Sequence, residues 1–122
     1  MTKQLSFSKL ENEIMPDFRN RINQAESAED VKKFFVYAVN ELMNNVFAGK
    51  LRFEYGDISL APATDQQFSV AERLLGTKEF TEIWNGSDLR HVTGRLAQTA
   101  ANRYKHLEKH PEKTNAKIRP EK

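Results

Sequence analysis

Residues 27–49 read Ser27-Ala-Glu-Asp-Val-Lys-Lys-Phe-Phe-Val-Tyr-Ala-Val-Asn-Glu-Leu-Met-Asn-Asn-Val-Phe-Ala-Gly49. Ser27 is followed three positions later by Asp30, a shorter stand-in for the usual Glu or Gln of a capping box, and Gly49 is a natural stop. Between them Val31, Phe34, Phe35, Ala38, Leu42 and Val46 fall on one helical face,. Val36, Met43 and Phe47 widen that face beyond half the circumference, as expected of a helix at the centre of a bundle. If too few other helices surround it, Val36, Met43 and Phe47 become the surface of a homodimer.

Upstream, Ser8-Lys9-Leu10-Glu11 has capping-box spacing, and Leu10, Ile14, Phe18 and Ile22 make a drifting apolar stripe,. Pro16 interrupts it, so this helix either kinks there or begins there. Downstream the period changes. Leu51, Phe53 and Tyr55 alternate with polar residues, and the alternation resumes at Ile58 and Leu60 after Gly56-Asp57, predicting a short β-hairpin or extended ribbon over 51–61,. A lone ribbon is marginal in water and must pack on helices or pair with another chain. Ser69-Val70-Ala71-Glu72 opens a short helix through Leu75, and Thr77 caps another that reaches Trp84,. Two short helices about Gly76 share the outline of a DNA-reading helix-turn-helix, but the second carries only one basic residue, Lys78.

The expected fold is mainly α: four or five helices with a short ribbon, a single domain over residues 1–110 and a flexible basic tail over 111–122. The absence of cysteine excludes disulfides, a thiol nucleophile and a thiolate zinc site,. The longest apolar run, Phe34 to Val39, is too short for a membrane span, and a cytoplasmic protein is expected.

Charge is unevenly placed. Residues 1–88 hold ten Lys or Arg against fourteen Asp or Glu, whereas residues 89–122 hold nine against three. Most of that excess lies on a last helix, capped by Ser87 and stopped by Pro111. Leu89, Val92, Leu96, Ala100, Tyr104 and Leu107 face the core in this reading. His91, Arg95, Gln98, Asn102, Lys105, His106 and Lys109 line the opposite face without an acidic residue. Arginine offers a planar fork of donors and lysine a mobile point charge, the chemistry of a phosphate-binding surface. Basic residues also suit the carboxyl-terminal half of any helix because they oppose its dipole. The stripe has no interleaved aromatic for base stacking, so nucleic acid would be held by its backbone alone. Arg103, at the edge of the apolar face, would snorkel or pair with an acid.

Other chemistry is thin. His106 and His110 have i, i+4 spacing, but no carboxylate completes a metal set. Neither a glycine-rich phosphate loop nor a nucleophile relay is present, and no cofactor is implied. Asp88-Leu-Arg-His-Val-Thr-Gly-Arg-Leu96 resembles the Leu-Arg-His box of tyrosine recombinases and phage integrases. The likeness covers fewer than ten residues, Tyr104 shares the helix of the box, and no catalytic role is carried over. The function expected is a non-enzymatic binding or adaptor module engaging an acidic or phosphate-bearing partner through the basic face. The alternative is a homo-oligomeric structural subunit joined through the second helix or the ribbon edge. A small-molecule enzyme comes third, since no linear pattern discloses a pocket.

Overall fold

A computed structural model describes residues 6–109. Its elements are α1 (Ser8–Gln24), α2 (Ala28–Phe47), β1 (Ile58–Leu60), β2 (Phe68–Val70), α3 (Glu72–Leu75), α4 (Lys78–Gly86) and α5 (Leu89–Lys109). The chain is thus mainly helical, with one two-stranded antiparallel sheet among the described residues. The expected tail, 111–122, lies outside them.

Helix α2 forms where its sequence predicts. The Ser27 hydroxyl accepts from the Asp30 N–H at 3.1 Å, satisfying a donor that the helix start leaves unpaired,. At the other end the chain leaves the helix through two left-handed residues, Ala48 (φ 52°) and Gly49 (φ 83°), and the Ala48 N–H closes on the Asn44 carbonyl. Glycine adopts such a φ without steric cost. α2 packs against α1, α5 and β1 and carries the centre of the core. Its broad apolar face is consumed within the chain: Val36, Met43 and Phe47 are all buried, so the surface proposed for a second copy is already covered by the chain itself. The reason is that α1, α5 and the two-stranded sheet pack around α2 and cover these side chains.

α1 neither starts at Pro16 nor stops there, but runs through it from Ser8 to Gln24. Pro16 is exposed, so the acceptor it leaves without a helical donor lies on the wet side of α1,. Ser8 is not the cap: the helix is preceded by Phe7, with no side-chain cap of its own. Asp88, from just before α5, does that work instead. Its carboxylate accepts from the Phe7 N–H at 2.8 Å and from the hydroxyls of Ser6 at 3.0 Å and Ser8 at 3.4 Å.

The hairpin differs in its partner. β1 falls in the expected 51–61 stretch, but it pairs with β2, Ile58 opposite Val70 and Leu60 opposite Phe68. Residues 51–57 stay irregular because Asp57 closes a turn on itself: its carboxylate accepts from the Glu54 N–H at 2.8 Å and its N–H donates to the Glu54 carbonyl at 3.0 Å,. Arg73 of α3 holds the turn from outside, pairing with Asp57 and donating to the Arg52 carbonyl at 3.1 Å. Ser69 is therefore a strand residue, paired with Ser59, and does not cap α3, which begins at Glu72 without a side-chain cap.

Five aromatic rings join these elements. Phe80 of α4 stacks between Phe47 of α2 (5.8 Å between centroids) and Trp84 (5.1 Å), Phe53 leans on both phenyl rings, and Phe68 of β2 meets Trp84 edge-on. Stacked and edge-to-face pairs at these separations add to the area they bury. The row pins α4, the 51–57 segment and β2 to the end of α2.

Candidate functional site

α5 presents the face that its periodicity predicts. Leu89, Val92, Leu96 and Ala100 are buried, Tyr104 and Leu107 half-buried, and His91, Arg95, Gln98, Asn102, Lys105 and His106 exposed. The small residues Thr93, Ala97 and Ala101 are buried too, which widens the apolar face and keeps side-chain bulk low where α5 meets its neighbours. Thr93 satisfies its hydroxyl by donating to the Leu89 carbonyl at 3.0 Å. At the start of α5 the Ser87 hydroxyl accepts from the Leu89 N–H at 3.1 Å, as its position predicts. The side chain of Lys109 and all of His110 lie outside the described residues.

Tertiary structure divides this face in two. In the amino-terminal half Arg95 makes a bidentate pair with Glu11 of α1, Nε to Oε2 at 2.7 Å and Nη2 to Oε1 at 2.8 Å. Half of the arginine side chain is exposed, but only 11% of the glutamate is. Hydrogen bonding to Glu11 raises the guanidinium pKa above its ordinary value; burial opposes this, and the charges of Glu11 and Asp88 add to it. Arg95 is charged across the whole neutral range, and its charge is locally matched by Glu11. Sequence order places these residues 84 positions apart, so the acid is invisible in any reading of α5 alone.

The carboxyl-terminal half includes the cation Lys105 and one exposed acid, Glu108. Lys105 and His106 are exposed there, and α2 adds a cation: the Lys32 ammonium lies 5.5 Å from the centroid of the Tyr104 ring,. Lys32 belongs to a helix read only for its apolar stripe, and no local signal links it to Tyr104. Arg103 neither snorkels nor meets an acid in the way expected; its Nη2 donates to the Ala25 carbonyl at 2.7 Å, capping the end of α1,. Gln98 and Asn102 stand between the two halves as neutral, exposed hydrogen-bonding groups.

Among the described residues no group of three or more His, Asp or Glu side chains is arranged to hold a metal ion, and no helix is long and apolar enough to cross a membrane. Comparison of the chain with protein-family models, with curated proteins and with solved structures returns no match.

Proposed function

We propose that this chain is a non-enzymatic binding or adaptor module that engages an acidic or phosphate-bearing partner through the exposed face of α5, chiefly its carboxyl-terminal half. The observation that carries this reading is the separation of charge along the helix: Glu11 matches Arg95, while Lys105 is exposed and makes no ion pair among the described residues, and Lys32 of α2 lies over the neighbouring Tyr104 ring. From Gln98 to His106 the described face extends about 12 Å at the α-helical rise, enough for more than one anionic group in a row. Gln98 and Asn102 supply neutral donors at its inner end. Tyr104 is half-buried beneath Lys32, so a nucleic acid would be gripped by its phosphates without base stacking,.

Inositol hexakisphosphate serves as a probe of compact, dense phosphate charge. Its affinity, measured by titration calorimetry, is expected to fall steeply between about 50 and 200 mM salt, as charge-neutralising contacts require. Lys105→Glu is expected to weaken it about tenfold, the factor carried by roughly 1.4 kcal/mol. Arg95→Ala, which removes a cation already matched by Glu11, is expected to change it by no more than about twofold. An unchanged affinity and salt slope in Lys105→Glu would overturn the proposal. A salt-insensitive dimeric mass by light scattering, with no binding of the probe, would favour the structural-subunit alternative.

A further inference from the structure

A second surface, away from the basic face, has the make-up of a small-molecule site. Beside β2 lies a cleft of about 350 Å³, lined by Thr64, Gln66, Phe68, Ser69, Val70, Leu75, Trp84 and Arg90. Ligand pockets commonly measure about 300–1,000 Å³ and combine an apolar lining with a few convergent polar groups. Phe68 and Trp84 are almost fully buried and already locked edge-on, so the aromatic part of the lining is rigid before any ligand arrives. Leu75, by contrast, leaves 49% of its surface to water. Covering it would recover hydrophobic free energy that the isolated chain forgoes.

The polar side of the cleft carries no carboxylate. Arg90 is exposed and makes no ion pair among the described residues, in contrast to Arg21, Arg73 and Arg95. It is the second residue of α5, where the helix dipole disfavours a cation, and the adjacent acid, Asp88, is committed to the start of α1 through Phe7 N–H and the Ser6 and Ser8 hydroxyls,. An anion bound at Arg90 would be held by both the guanidinium and the dipole. Thr64 is spent locally: its hydroxyl donates to the Ala61 carbonyl and accepts from the Gln67 N–H. Gln66 is fixed by donation from Nε2 to the Phe68 carbonyl at 2.9 Å, which leaves its second amide hydrogen for a ligand,.

We propose that this cleft binds a small monoanionic carboxylate with an apolar ring or short chain, its carboxylate on Arg90 and its apolar body over Trp84 and Leu75. The planar guanidinium fork matches a carboxylate, and one cation balances one negative charge. A phosphate dianion would find only half its charge met here. The volume admits a six-carbon ring, since a dry cavity of about 150 Å³ already holds benzene.

Trp84 is the sole tryptophan and lines the cleft, so in the folded chain its emission is a probe of the cleft's occupancy. Sodium cyclohexanecarboxylate, which does not absorb at the exciting wavelength, is expected to change that emission saturably. The neutral cyclohexanecarboxamide should bind about tenfold more weakly, as loss of a charge-assisted pair implies. Arg90→Ala should bring the carboxylate down to the affinity of the amide, and Leu75→Glu should abolish binding by placing a fixed carboxylate in the cleft. Both positions are exposed, and unchanged thermal melts would show both variants folded. A Trp84 emission that does not respond to the carboxylate, or equal affinity in wild type and Arg90→Ala, would overturn the proposal.

Discussion

Replacing Phe80 by alanine is expected to cost about 3–5 kcal/mol of folding stability, the range for removing a fully buried aromatic ring. Phe80 is 0% exposed and touches three other rings, so its loss empties the middle of the aromatic row. The surrounding backbone has little freedom to collapse into the space, because Phe47 sits on α2 and Trp84 on α4, and both helices are packed on other sides. Single domains are stable by only about 5–15 kcal/mol, so this one change removes a large share of the margin. A chain of this size should lose roughly 10–20 °C in Tm. Phe80→Leu keeps most of the volume and should cost about 1–2 kcal/mol. Urea unfolding followed by Trp84 fluorescence measures both variants. A loss below about 1 kcal/mol in Phe80→Ala would mean that the aromatic row does not hold α4 to α2 as described.

The second large effect is asymmetric. Arg95→Ala is expected to destabilise the fold by about 2 kcal/mol, because it leaves the Glu11 carboxylate largely buried and without its partner. Glu11→Ala is expected to cost about 1 kcal/mol or less, since the half-exposed arginine turns to water. With both residues replaced, the loss should be smaller than the sum of the two, and the double-mutant cycle reads the coupling directly. The sign with pH follows from the raised pKa of Arg95. A cation with a raised folded-state pKa contributes its full stability below the unfolded-state pKa and loses it only as pH climbs through the folded one. That window lies in strong alkali, so across neutral pH the arginine adds no pH dependence. Chemical denaturation of the three variants at neutral pH decides the matter. Equal losses in the two single variants would contradict the asymmetric burial of the pair.

The same pair marks the boundary of what the sequence discloses. α2 is legible because its information is local: Ser27 caps it, and a wide apolar stripe runs without interruption to Gly49. The exposed and buried faces of α5 are legible for the same reason, since 100° per residue sorts Leu89, Val92 and Leu96 from His91, Gln98 and Lys105,. Glu11 is not. At capping-box spacing from Ser8 it reads as a cap, yet a guanidinium on a helix remote in sequence offers it two charge-assisted bonds, a stronger offer than its own helix start,.

Asp88 was hidden in the same way. Read locally it belongs to the start of α5, but it holds the start of α1, and together with Glu11–Arg95 it fastens the two helices at one end. The hairpin partner is not legible in the sequence, because alternation in 51–55 matches a strand as well as 68–70 does. What separates them is the self-closed Glu54–Asp57 turn and the pull of Phe53 onto Phe47, which take 51–57 out of the ladder. Charge counts alone place the basic excess on the last helix and the stretch after it. Only the fold showed that its amino-terminal half is met by Glu11 and that Lys32 joins the other half.

The most direct test of the proposed function is to locate binding on the surface. Two-dimensional amide NMR of the isotope-labelled chain, titrated with inositol hexakisphosphate, resolves each backbone position separately. Shifts are expected to concentrate at Gln98, Asn102, Lys105 and His106 and to extend to Lys32, with His91 and the residues around Glu11 much less affected. Shifts centred on the cleft beside Trp84, or spread evenly over all exposed lysines, would contradict the proposed function.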